Sequence, residues 1–130
     1  MDASHDLDSS PTTHDELDTL VGEWLPLPDV AELLGTDISR VRRMLDDGAL
    51  VALRRGHPKV LSVPRALVDP EPLPELPGTL TVLSDAGYDV QASLRWLFTA
   101  DETLAAGTPV AMLRAGHKTE IRRRAQSLAF

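Results

Sequence analysis

A chain of 130 residues allows one domain or two small ones, and its net charge of −7 weighs on its face against a nucleic-acid partner. No run approaches ~18 consecutive apolar residues, so no membrane-spanning helix and no membrane partner are expected; the acidic start at Asp2 also lacks the basic and apolar segments of a signal peptide. Without cysteine there is neither a disulfide nor a thiolate metal site, and a reducing cytoplasm suits such a chain.

The charge is unevenly spread. Residues 1–29 carry eight acids and neither Lys nor Arg, so residues 30–130 hold all thirteen bases against twelve acids, a net of +1. Within residues 39–65 seven bases (Arg40, Arg42, Arg43, Arg54, Arg55, Lys59, Arg65) face only Asp46 and Asp47. Salt screens charges beyond ~8–10 Å, so the field close to this stretch matters more than the total.

Residues 1–23 are polar, acidic and poor in large apolar groups, which predicts a disordered tail. Two readings stay open for it. One is a solubilising segment. The other is a regulatory segment in which Ser9, Ser10, Thr12 and Thr13, clustered around Pro11, are candidate phosphorylation sites for a serine/threonine kinase. Each phosphate would add nearly two negative charges and make the tail a competitor for the basic stretch.

Residues 24–68 carry the strongest pattern. Trp24 is expected to pack at the entry of a first helix, in which Val30, Ala31, Leu33 and Leu34 share an apolar face. Pro28 suits an early helical position, Asp29 complements the helix dipole, and Gly35 stops the helix in a left-handed conformation. Thr36 or Asp37 can cap a second helix over residues 37–47, with Ile38, Val41, Met44 and Leu45 inward and Ser39, Arg40, Arg42 and Arg43 outward. Gly48 ends it. Helix, glycine turn and arginine-bearing second helix is the helix-turn-helix pattern, whose second helix enters a DNA major groove. Residues 50–54 and 59–63 then read as two strands of a wing spanning residues 50–63. The wing would present Arg54, Arg55, His57 and Lys59 beside the recognition helix, and arginine pairs bidentately with guanine edges and phosphates alike.

Residues 69–77 contain four prolines in nine positions, which predicts an extended, semi-rigid linker and a domain boundary. Residues 78–130 read as helical. Asp89 can cap a helix carrying Val90, Leu94, Leu97 and Phe98, with Trp96 and Phe98 filling the core. Thr108 and Pro109 open a short helix that Gly116 ends, and Thr119 with Glu120 opens the last helix, burying Ile121, Ala125 and Leu128. Arg122, Arg123 and Arg124 are expected to face outward. They complement the dipole of that helix or act as candidate phosphate contacts, and both readings stay open.

The four histidines (His5, His14, His57, His117) lack ligand spacing, so no metal or other cofactor is expected. No nucleophile–base pair, glycine-rich phosphate loop or paired carboxylate in an apolar setting stands out, and no enzymatic role is expected.

The run LPDVAELLGTDISRVRRMLDDGALVALRRGHPKVLSVPRALV is similar to the small winged helix-turn-helix of excisionase and MerR-type DNA-binding proteins. Together with LPGTLTVLSDAGYDVQASLRWLFTADETL and EIRRRAQSLAF, it resembles a family of small actinobacterial winged-helix DNA-binding proteins over residues 25–130. The best-known member is mycobacterial and is a substrate of a membrane serine/threonine kinase. The resemblance implies double-stranded DNA binding through the basic helix and wing, with an appended helical domain. A fainter resemblance joins Trp96–Leu97, Leu104, Gly107–Thr108–Pro109, Leu113 and Gly116 to the C-terminal domain of the Xre/MbcA/ParS antitoxins, implying a protein-interaction module there.

The expected fold is therefore mainly α: a winged helix-turn-helix with a two-stranded hairpin wing, plus a small all-helical C-terminal domain. The expected function is DNA binding in transcriptional control or nucleoid organisation. A protein-interaction adaptor or antitoxin-like module acting through the C-terminal helices is the alternative. One winged module offers limited contact area, so specific binding would call for a dimer or cooperative neighbours.

Overall fold

Two residues set the first reversal of the chain. Gly35 holds φ 69° and closes α2 (Leu27–Leu34) in the left-handed region, and its amide bonds back to the carbonyl of Glu32. Two residues on, the Asp37 carboxylate accepts the Arg40 amide at 2.8 Å and caps α3 (Ile38–Asp46). Stop signal and start signal thus lie within three residues, which forces the tight turn of a helix-turn-helix. Val30 and Ala31 of α2 and Val41 of α3 are buried where the two helices meet.

The computed structural model describes residues 16–129. In chain order, residues 16–21 form the described part of α1, followed by β1 (Trp24–Pro26), α2 and α3. Next come β2 (Leu53–Arg55), β3 (Val60–Pro64) and a 3-10 turn at Arg65–Leu67. Then follow α4 (Leu76–Asp85), α5 (Val90–Phe98), α6 (Pro109–Arg114), α7 (Lys118–Gln126) and a closing 3-10 turn at Ser127–Ala129.

The wing is a three-stranded antiparallel sheet in the order β1-β3-β2 rather than a bare hairpin. Trp24–Leu25–Pro26, expected only as a lead-in, pairs with β3 in the register Trp24 to Pro64, Leu25 to Val63 and Pro26 to Ser62. Three residues are too few for an alternation signal, and the strand exists because β3 offers it an edge. On the other edge Leu53, Arg54 and Arg55 pair with Ser62, Leu61 and Val60.

Three expectations are corrected here. Residues 16–23 are not part of a structureless tail: residues 16–21 are helical and Leu17 is fully buried, with Val21, one turn on, packed against the same core. The proline-rich stretch is not a free spacer. Leu73 and Leu76 are buried in the common core, and α4 begins at Leu76, inside the expected linker, with Pro77 in its first turn, where no N–H is needed. Ile38, expected on the inward face of the recognition helix, is exposed.

Two caps hold, with Asp89 accepting the Ala92 amide at 2.8 Å and Thr108 that of Ala111 at 3.1 Å, whereas the last helix opens at Lys118 after His117, with no side-chain cap, rather than at Thr119. Leu94, Leu97, Met112, Leu113, Ile121 and Ala125 form the C-terminal part of the core. It is continuous with Val41, Leu50, Leu67 and Val68 of the N-terminal part. Arg114 of α6 reaches across to the backbone, donating to the carbonyls of Ala66 and Glu71 at 2.8 Å each. The helical half therefore holds the winged half in place through packing and a charged hydrogen-bond bridge.

Candidate nucleic-acid interface

Helical periodicity leaves Ser39, Arg40, Arg42 and Arg43 on the solvent side of α3, because Val41 occupies the buried side. All four are exposed, as expected. Beside them, strand alternation splits the wing. Arg54 points to solvent while Arg55, its neighbour, points inward. His57 and Lys59 in the connecting turn are exposed. Between α3 and the wing lies a groove of about 330 Å³, walled by the start of α2 and by Ile38, Arg42, Arg54, Lys59 and Val60. Arg42, Arg54 and Lys59 come from three separate elements and converge there.

The expectation that Arg55 belongs to the exposed set is corrected. Its side chain is 7% exposed, is ion-paired with Asp18 of α1, and lies over the Trp24 ring at 5.0 Å from the centroid. Arg55 therefore fastens α1 and β1 to β2. Burial of a guanidinium requires a paired acid and a face to stack on, and both are supplied here. No local signal marks Asp18 and Trp24 as its partners, because the contact spans residues far apart in sequence; the helical spacing of Leu17 and Val21 is the one hint of a helix there.

The remaining arginines sort the same way. Arg65 is shared between Asp69 and Glu23 at 2.9 Å each, and hydrogen bonding to Asp69, then to Glu23, raises its pKa further. Arg122 pairs with Glu75 at 2.7 Å, and Arg124 with Glu120 at 2.9 Å. Arg124 also donates to the Thr103 hydroxyl at 2.7 Å and approaches Asp101 at 3.5 Å. The Asp101 carboxyl is held below its ordinary range, chiefly by the Thr103 hydroxyl, then by the Thr103 amide and Arg124. Arg122 and Arg124 thus join helices to loops instead of facing outward together, and of that triplet Arg123 alone is exposed.

In contrast, no ion pair among the described residues engages Arg40, Arg42, Arg43, Arg54 or Lys59. The internal carboxylates neutralise the bases that hold the fold together. Within the described residues, Arg42, Arg54 and Lys59 line one groove without a carboxylate partner, and Arg40 and Arg43 stand exposed on the same helix as Arg42. The candidate phosphorylation sites Ser9, Ser10, Thr12 and Thr13 lie outside the described residues.

A recognition-type helix beside a three-stranded wing, buttressed by a helical C-terminal half, defines a winged helix-turn-helix protein. The chain belongs to the Rv2175c family: the model of the winged helix-turn-helix domain of the DNA-binding protein Rv2175c matches residues 9–68, and that of the Rv2175c C-terminal domain of unknown function matches residues 73–129. The chain is similar to the DNA-binding protein Rv2175c of Mycobacterium tuberculosis (strain ATCC 25618 / H37Rv), with 38% identity over 115 residues, 80% of this chain and 79% of that protein. The NMR structure of Rv2175c has the same fold, with a TM-score of 0.71 and 36% identity over 83% of this chain and 82% of that one. The actinobacterial family resemblance and the fold class drawn from the sequence are both confirmed.

Proposed function

We propose that the protein binds double-stranded DNA, with α3 in the major groove and the wing against the backbone, as a transcriptional regulator or nucleoid-associated factor in the cytoplasm. One observation carries this reading: among the described residues, five exposed bases on α3 and the wing lack internal carboxylate partners, whereas most of the bases elsewhere are consumed by the fold. The name of the mycobacterial relative, a DNA-binding protein, points the same way. Arg40, Arg42, Arg43 and Ser39 would meet base edges and flanking phosphates. Arg54 and Lys59 would hold phosphates, with His57 at the wing tip and Arg123 as outlying contacts. The role is a binding role rather than a catalytic one. Residues 24–68 carry it, residues 78–130 form the buttress, and residues 1–23 are the regulated end of the chain, where a serine/threonine kinase acting on Ser9, Ser10, Thr12 or Thr13 would weaken binding by adding negative charge.

The test is a salt-titrated shift assay on duplex DNA. Affinity should fall linearly in log–log form as salt rises, and Arg42→Ala/Arg43→Ala should flatten that slope by about one unit for each phosphate no longer neutralised. The phosphorylated chain should bind more weakly than the unmodified one at low salt. An unaltered slope in the double variant overturns the assignment of α3; equal affinity with and without phosphate overturns the regulation.

A further inference from the structure

A second groove, of about 520 Å³, opens where the end of α3 and the turn after it meet α4 and α5. Its apolar lining includes Leu45, Leu50, Leu80 and Val90, the last of them 40% exposed. Its charged lining is of one sign: Asp47, Asp85 and Asp89 face it, and no Lys, Arg or His does. None of the three carboxylates is in an ion pair among the described residues. Asp89 has a task in the fold, since it caps α5. The other two stand where local preference disfavours an acid. Asp47 is the C-cap of α3 and Asp85 the last residue of α4, and the negative end of a helix dipole favours cations. Acids set against that preference with no basic partner point to a requirement outside the fold.

The groove contains a further polar group that the fold leaves idle. Ser93 is 3% exposed and lines it, and the Ser93 hydroxyl has no hydrogen-bond partner among the described residues. Buried polar groups are normally bonded, so an idle hydroxyl in a concave site marks a place for a ligand atom. Tyr88, half-buried, adds an aromatic ring, a group to which ammonium ions are drawn. Small-molecule sites typically measure about 300–1,000 Å³ and favour the seam between two structural units, as here. We propose that this groove binds a small organic cation: Asp47 and Asp85 take its ammonium group, the Ser93 hydroxyl bonds a second polar atom, and Leu45, Leu50 and Leu80 pack against its carbon body. Like charge disfavours the other occupants at hand, DNA and the stretch before residue 16, which carries Asp2, Asp6, Asp8 and Asp15 and neither Lys nor Arg.

The experiment titrates the full-length, isotope-labelled chain with tyramine and with tyrosol, its neutral alcohol counterpart of nearly the same shape, and follows amide shifts by NMR. Tyramine should bind saturably with a Kd of about 1 mM, as a ligand of that size allows, and move the amides of Gly48, Tyr88 and Ser93 together. Tyrosol should bind about three- to ten-fold more weakly. Asp85→Asn, a change at an exposed helix end, should weaken tyramine about two- to five-fold and leave tyrosol unmoved, whereas Ser93→Ala should weaken both. Equal affinity for the two probes overturns the proposal, as does an Asp85→Asn chain that holds tyramine as tightly as the parent. Absence of saturable shifts at these amides well above that concentration overturns it too. Shifts at the same amides that grow with protein concentration before any probe is added would put a second copy of this chain in the groove, and a lysine–leucine helical peptide that moves them where tyramine does not would assign it to a protein partner. Either result overturns the small-ligand assignment, and none of these readouts depends on DNA.

Discussion

Arg54 and Arg55 are adjacent in one strand and identical in chemistry, yet alternation gives them opposite work. Arg55 stacks on Trp24 and pairs with Asp18, while Arg54 faces the groove beside Arg42. Replacing Arg55 with Met should cost about 1–3 kcal/mol in chemical denaturation, because the stacking and the charged hydrogen bond both go. Its salt slope for DNA should barely move. Arg54→Ala should show the reverse: stability within about 0.5 kcal/mol of the parent, and a slope lower by about one unit. Asp101 supplies a pH signature at the same scale. Its carboxyl is depressed in the folded chain, so its contribution to stability is complete above the ordinary aspartate range and is lost as pH falls through the folded value. Asp101→Asn should therefore melt below the parent at neutral pH, with the gap closing on acidification; melting curves at a series of pH values would show it.

At the scale of the element, α3 is short and depends on its ends. Its nine residues include three arginines, and at that length a helix is marginal without capping and packing. Asp37→Ala removes the carboxylate that accepts the Arg40 amide and should cost about 1 kcal/mol, within the usual range for a cap. Because the first turn of α3 carries Ser39 and Arg40, fraying there should reach DNA affinity as well as stability. Amide exchange at Arg40 measured beside a binding titration would read both. An Asn at the same position keeps a cap acceptor and should restore most of the loss.

The molecule as a whole behaves as one core. Leu73 lies in the proline-rich stretch and is 3% exposed, and Arg114 ties α6 to the carbonyl of Ala66 just before that stretch and to that of Glu71 within it. A linker that merely spaced two domains would leave their stabilities independent. Shared packing predicts the opposite. Leu73→Ala should destabilise the chain by about 2–4 kcal/mol, and exchange protection should fall together in α3 and in α5. Loss of protection in one half alone would mean that the two halves open separately. In a chain of net charge −7, Glu23, Glu75 and Glu120 are taken up in ion pairs with arginines outside α3 and the wing, while Arg40, Arg42, Arg43, Arg54 and Lys59 keep no carboxylate partner among the described residues.

Much of this was legible in the residues. Gly35, Asp37, Asp89 and Thr108 are local signals, and local backbone chemistry acts within a turn or two of where it stands, so helix starts and stops follow from sequence. The outward arginines of α3 follow from period alone, once Val41 is known to be inward. What stayed hidden depends on partners distant along the chain. Strand β1 exists only against β3, the burial of Arg55 depends on an aspartate in α1, and Arg122 and Arg124 are claimed by Glu75 and Asp101. Sequence by itself determined α2, α3 and most of the C-terminal helices, though not α1 or the start of α4, and which of them carry positive charge. Only the tertiary structure decided which of those charges remain available, because an ion pair is settled by proximity in space, and proximity is what folding creates.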